Sequence, residues 1–261
     1  GVFNWGTSKT GCGKLKIKKD EYHLLSFSEK AKYKPIVQTA DIKRYFIEWK
    51  EEYIPIDIYS DRIIAEFNKD KLLIARVTKT IQSCFTESNY YVGKSTLVTN
   101  LTIPFQFILG VLNSKIVNFW YSNKFESTHM AGGYLRFDIP YLKQIPIPKP
   151  NVTLINLVNI LLHNTISRSL NEIIDALVFN LYFPNHMQER NIDVLEFIEQ
   201  DISEVLQSRD FEKLSDTEKE KVIAQLHQTW TDPENEVVKR MAMFKEKSPD
   251  ILGVIMESTV K

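Results

Sequence analysis

Residues 105–150 read FQFILGVLNSKIVNFWYSNKFESTHMAGGYLRFDIPYLKQIPIPKP. Pro104 opens the run, and proline is tolerated in a first helical turn. Phe107, Ile108, Val111, Leu112, Ile116 and Phe119 follow at roughly helical spacing, which predicts a helix over 105–121. Gly132-Gly133 breaks the chain, and Tyr134-Leu-Arg-Phe-Asp-Ile returns as a strand over 134–139. The alternation Ile145-Pro-Ile-Pro148 is extended and cannot propagate a helix. One stretch thus carries an apolar helix, a glycine turn, a strand and a proline exit. None of its residues forms a catalytic motif.

Toward the N-terminus the texture is that of strands. Lys14-Leu-Lys-Ile-Lys alternates basic and apolar residues, the period of a half-exposed strand. Residues 35–50 predict a short turn and a strand. Residues 51–60, EEYIPIDIYS, read as extended, because Pro55 disfavours helix and Ile54, Ile56 and Ile58 alternate. Residues 71–88 and 89–103 are rich in β-branched and aromatic side chains and predict further strands. Beyond Pro150 glycine falls to one residue, Gly253, and helical periodicity takes over. A long helix is predicted over about 154–182, with others at about 191–207, 215–230, 233–247 and 249–258. Ser215 with Glu218 fits a capping box, and Asp232-Pro233 fits a helix start. The fold class predicted is α+β: a mixed, β-rich domain over 1–150 and an acidic helical domain over 151–261.

The 261 residues carry no net charge, but the balance is split. Residues 1–150 hold 22 Lys and Arg against 14 Asp and Glu; residues 151–261 hold 11 against 19. A basic half can neutralise phosphates, whereas an acidic half is repelled by nucleic acid. Two cysteines, Cys12 and Cys84, are too few for a disulfide framework and form no Cys-x-x-Cys pair, which fits a reducing cytoplasm. No secretory signal opens the chain, and polar residues interrupt the 154–182 stripe, so no membrane span is expected. Gly rather than Met at position 1 suggests an excised fragment or a processed tag.

Gly93-Lys94-Ser95 invites a phosphate-loop reading, but position 88 is Ser rather than Gly and Leu97-Val98-Thr99 reads as strand. It is better read as a basic turn at a sheet edge. Methyl transfer to adenine needs an Asn/Asp-Pro-Pro-aromatic loop and a glycine-rich cofactor turn, and neither is present. His23, His129, His163, His186 and His227 lack metal-ligand spacing. Asp57 with Asp61, and Glu66 with Asp70 and Lys71, can be drawn as nuclease acids but read more simply as solvated loops. What stands out is basic residues interleaved with hydroxyls and aromatics. Candidate DNA contacts are Lys9, Lys14, Lys43, Arg44, Arg76, Lys79, Lys94, Ser95, Thr96, Tyr134 and Arg136. Arginine can bridge a guanine edge, and lysine or hydroxyl groups can hold phosphates. Asn113 and Ser114 are candidates for local backbone bonding instead.

In its order of segments the chain resembles the TaqI-like C-terminal specificity domain, the target-recognition domain of adenine-specific DNA methyltransferases. The resemblance rests on Gly6–Gly13, Tyr33-Lys-Pro-Ile-Val, Asp41-Ile-Lys-Arg-Tyr, Leu72-Leu-Ile-Ala-Arg-Val, Gly110-Val-Leu-Asn-Ser-Lys, Tyr141-Leu-x-x-Ile-Pro-Ile-Pro and Ile174–Tyr182. It implies a non-catalytic module that binds double-stranded DNA beside an upstream methyltransferase domain in the same polypeptide, with or without a fused endonuclease. It implies no cofactor in this chain and S-adenosylmethionine for the parent protein. The rival readings are a protein-interaction or scaffold module whose basic face is incidental, and a stand-alone enzyme.

Overall fold

The computed structural model describes residues 2–5, 15–87, 90–126, 129–163 and 168–258. The chain divides into two compact units, residues 1–105 with 124–145, and residues 106–123 with 146–261. Charge divides with them: 20 Lys and Arg against 14 Asp and Glu in the first, 13 against 19 in the second. The expected boundary after Pro150 differs from this division in two respects, the smaller being that residues 146–150 already belong to the second unit. Residues 106–123 group with the later helices, because Gly110 lies against Leu154 and Val158.

The first unit begins with β1 (Val2–Trp5), β2 (Ile17–Lys18), α1 (Lys19–Leu24), α2 (Phe27–Lys30), β3 (Tyr33–Val37) and β4 (Glu52–Pro55). It continues with α3 (Asp61–Phe67), β5 (Lys71–Ile74), β6 (Val77–Thr78), β7 (Ser83–Thr86), β8 (Tyr91–Val92) and β9 (Ser95–Val98). Two helices, α4 (Phe105–Leu112) and α5 (Lys115–Lys124), lead to β10 (Leu135–Arg136) and α6 (Ile139–Leu142). One sheet is antiparallel in the order β1-β9-β5-β7, with Leu73 across from Leu97 on one side and Cys84 on the other. A second has the order β2-β4-β3-β8, its β3–β8 pair parallel. β6 and β10 form a separate two-stranded ribbon.

All four residues of β5, Lys71-Leu-Leu-Ile74, are buried, as suits a strand paired on both edges. Ile36, Val37, Ile54, Phe67, Leu73, Cys84, Tyr91 and Leu97 make the core of this unit. Burying each large aliphatic side chain contributes about 1.5–3 kcal/mol. The same burial pushes the Cys84 thiol up to about 12, so it stays protonated at neutral pH.

Several predicted strands are shorter than expected. Of the strand read over 14–18, the described residues 15–18 yield only β2, because the run Lys19–Leu24 turns helical at once. The strand over 134–139 is confined to β10, since Pro140 enters the first turn of α6. The helix predicted over 105–121 is two helices with a corner at Asn113-Ser114. Ser114 Oγ accepts from Val117 N at 3.4 Å and donates to Val111 O at 2.6 Å. Lys115 N donates to the buried Asp175 at 2.9 Å, placing a carboxylate where the α5 dipole favours negative charge. The Leu-Asn-Ser-Lys motif therefore builds a helix corner.

The second unit continues with α7 (Val152–His163), α8 (Arg168–Tyr182), α9 (Pro184–Glu189) and α10 (Leu195–Leu206). It closes with α11 (Asp216–Thr229), α12 (Glu236–Ala242), α13 (Phe244–Lys247), a π-helical turn at Pro249–Gly253, and α14 (Val254–Ser258). The helix expected over 154–182 is thus α7 and α8, which pack against each other. The apolar stripe that suggested continuity is the buried face each presents to its neighbours. The capping box of Ser215 and Glu218 starts α11 as read. Asn235, rather than Asp232-Pro233, caps α12, its Oδ1 accepting from Val237 N and Val238 N. A cavity of about 390 Å³ in this unit is lined by Ile116, Phe119, Trp120, Phe183, Ile251 and Val254, among others, with Asp250 its one carboxylate. Among the described residues no helix is long and apolar enough to cross a membrane.

Candidate nucleic-acid interface

A groove of about 500 Å³ lies in the first unit between the β6–β10 ribbon and the turn that follows β3. Gln38 N donates to Asp41 Oδ2 at 2.8 Å, closing a 3-10 turn over Thr39–Asp41. The backbone then reverses: Lys43 N donates to Phe46 O at 2.9 Å, and Tyr45, at φ 77°, donates its N–H to Ser83 O at 2.8 Å. A residue other than glycine in that conformation costs about 1 kcal/mol or more and persists where its surroundings hold it. Here the buried Tyr45 ring and the Arg44 guanidinium, 5.4 Å from its centroid, fix the turn. The opposite wall is set by pairing of Leu135 with Thr78 and Arg136 with Val77.

The groove is lined by Lys43, Lys79, Thr39, Thr78, Thr80, Gln82 and Tyr134 over Ala40, Ile42 and Val77, with no carboxylate among them. This combination can accept a polyanion and offer hydroxyl and amide groups to its edges. Lys43 also meets Glu48 at 3.3 Å, but both are substantially exposed, and such a pair contributes little and is readily exchanged.

The candidate residues separate by position. Lys43, Lys79 and Tyr134 line the groove together. Continuing the antiparallel register by one residue sets Tyr134 across from Lys79. Arg136 is exposed two residues further on, the same strand face as Tyr134, while Leu135 between them is buried. Lys94 is exposed at the neighbouring turn, whose carbonyl accepts from Thr39 Oγ1 at 2.7 Å. Arg44 is half-buried against Tyr45.

Three candidates are engaged within the fold. Ser95 and Thr96 are buried in β9, and Thr96 Oγ1 donates to Phe137 O at 3.0 Å. Arg76 Nε donates to Asp138 Oδ1 at 2.6 Å, and its carbonyl accepts from Phe137 N. Hydroxyls between β-branched residues look exposed by composition, but β9 is paired on both edges and covered. Lys9 and Lys14 lie outside the described residues. Thr39, Thr78, Thr80 and Gln82 were not singled out from sequence. Their only signal was proximity to Lys43 and Lys79 in turns.

Buried charge elsewhere is accounted for by the fold. Lys71 Nζ donates to Phe67 O at 2.6 Å and Lys69 O at 3.0 Å, and burial pushes its amine down to about 8. Among the described residues no group of three or more His, Cys, Asp or Glu could hold a metal ion.

The first unit thus presents an open groove walled by lysine, threonine, glutamine and tyrosine side chains. Residues 34–147 match the family model of the TaqI-like C-terminal specificity domain. That match bears out the resemblance read from Asp41–Tyr45, Gly110–Lys115 and the Ile-Pro-Ile-Pro exit. Every described groove residue, from Thr39 to Tyr134, falls within it. No curated protein matches the chain. Among solved structures the chain is similar to the type IIL restriction-modification enzyme MmeI in complex with DNA, at 13% identity and a TM-score of 0.39. The match covers 98% of this chain and 35% of that one, so the chain spans about a third of that protein's length.

Proposed function

We propose that this chain is the sequence-reading, double-stranded-DNA-binding part of a restriction-modification methyltransferase, holding a target site for an upstream adenine methyltransferase domain. The observation that carries this reading is the groove of Lys43, Lys79 and Tyr134 without a carboxylate, inside the segment that matches a specificity domain. Lysines neutralise phosphates, and the threonine, tyrosine and glutamine groups supply donors and acceptors for base edges. Catalysis belongs to the parent protein, as does S-adenosylmethionine. The open cationic groove and the almost wholly apolar cavity beside Trp120, with its single carboxylate, do not fit that cofactor. Cytoplasmic location follows from this role.

Binding of the 261-residue chain to duplex DNA tests the reading. Lys43→Glu with Lys79→Glu should abolish most of the affinity. Lys247→Glu, on an exposed lysine of the acidic unit, should leave it nearly unchanged. Equal losses in both variants would remove the groove from the mechanism. The alternative reading, a protein-interaction module, draws on the apolar cavity beside Trp120 and Val254. It predicts that neither charge reversal affects function and that Trp120 or Val254 substitutions do.

A further inference from the structure

The turn leading into β10 carries two large apolar side chains in solvent. Met130 is 45% exposed and Tyr134 is 44% exposed. They face each other across a backbone bridge, Met130 N donating to Tyr134 O at 2.7 Å. Between them Gly132 and Gly133 adopt φ of 80° and 77°, a left-handed backbone that side-chain-bearing residues rarely take, so the turn is tight and its tip is bare. The Tyr134 ring rests beside Gly132, which keeps it at the tip rather than folded inward. Single exposed apolar residues are ordinary on protein surfaces, but two adjoining ones at a bare turn tip make a small apolar patch that adds nothing to the core. This pair also adjoins the groove: Tyr134 lines it, Lys79 stands across the ribbon and Arg136 follows on the same strand face.

We propose that Met130 and Tyr134 form a wedge that enters between neighbouring base pairs of duplex DNA held in the groove. The inference rests on the DNA-binding reading above and adds to it a deformation of the duplex. Apolar side chains inserted at a base step unstack it and kink the helix, and an aromatic ring can stack on the exposed base face. The cations on either side match the phosphates that flank such a step. A second protein is the other class of occupant for an apolar tip. The absence of any carboxylate in the adjoining groove, with lysines in its wall, favours the polyanion.

The test compares two duplexes of about 30 base pairs at about 50 mM salt, a regime where electrostatic binding is strong. One is fully paired; the other carries a central mismatch next to 2-aminopurine. A wedge gains most where stacking is already weakened, so the wild-type chain should prefer the mismatched duplex by about tenfold, about 1.4 kcal/mol. 2-Aminopurine emission should rise on binding. Met130→Ser with Tyr134→Ser should bind paired DNA less tightly, because Tyr134 also lines the groove, and should lose both the preference and the emission change. Lys43→Glu with Lys79→Glu should weaken binding to both duplexes while keeping the ratio. Tight binding to both duplexes with no preference and no emission change overturns the wedge and leaves DNA recognition standing. Retention of both signals by the Met130/Tyr134 variant also overturns it. Failure to bind any duplex removes the DNA-binding reading and the wedge with it.

Discussion

Arg76 and Asp138 meet at 2.6 Å, Nε to Oδ1, and this pair fastens the exit of β10 to the bend between β5 and β6. Phe137 N donates to Arg76 O at 2.8 Å beside it, so side chain and backbone hold the same junction. Arg76→Ala should lower stability by on the order of 1 kcal/mol, because one partner of a partly buried pair is left behind. Asp138→Asn should cost less, as the amide keeps an acceptor. Thermal or urea unfolding measures both. Duplex affinity should fall only as far as the ribbon loosens. A large loss of affinity with unchanged stability would return Arg76 to the DNA-contacting set.

Each groove lysine should carry its own share of salt dependence. Removing one phosphate contact lowers the slope of log affinity against log salt by about 0.9. Lys43→Ala and Lys79→Ala should therefore each flatten the slope by about one, and the double variant by about two. Salt titration of duplex binding, followed by fluorescence anisotropy, measures this directly.

Gly110 provides a packing test in the helical unit. A Cβ there would come within 2.9 Å of Leu154 Cδ1 and 3.1 Å of Val158 Cγ2. Gly110→Val should destabilise by about 1–3 kcal/mol through overpacking, despite the gain in helix propensity over glycine. A variant of unchanged melting temperature would mean that α4 and α7 yield more easily than their contact suggests.

Lys71 sets a pH dependence. Its folded amine titrates near 8, below the ordinary 10.5, because burial disfavours the ammonium. Between these values the unfolded chain binds more protons than the folded one, so this residue's contribution makes stability rise with pH across that window. The gain, at about 1.4 kcal/mol per pKa unit, is at most about 3.5 kcal/mol. Lys71→Met should flatten the slope between about pH 8 and 10 in urea unfolding series. It should also cost stability at pH 7, where the carbonyls of Phe67 and Lys69 lose their donor.

Much of the architecture was legible where the chain states a local rule. The Gly132-Gly133 turn and the Ser215–Glu218 capping box formed as read, and the strand read over 71–88 is present as three shorter strands, β5, β6 and β7. The failures share a cause: tertiary partners decide what periodicity leaves open. Ser114 and Asp175 split a predicted helix, and α7 and α8 share one apolar stripe between two elements. In the site, Lys43, Lys79, Tyr134 and Arg136 were readable as cations and an aromatic near turns. Ser95 and Thr96 were not readable as buried, because hydroxyls in a doubly paired strand satisfy themselves within the fold. The wall residues Thr39 and Thr78 come together only through the β3 and β6 turns, which sequence spacing does not reveal.

The most direct measurement is the affinity of the intact chain for duplex DNA between about 50 and 200 mM salt. The account predicts binding at low salt that weakens steeply over this range, with a slope that flattens when Lys43 and Lys79 are neutralised. Absence of duplex binding at low salt, or binding indifferent to both salt and these lysines, contradicts it.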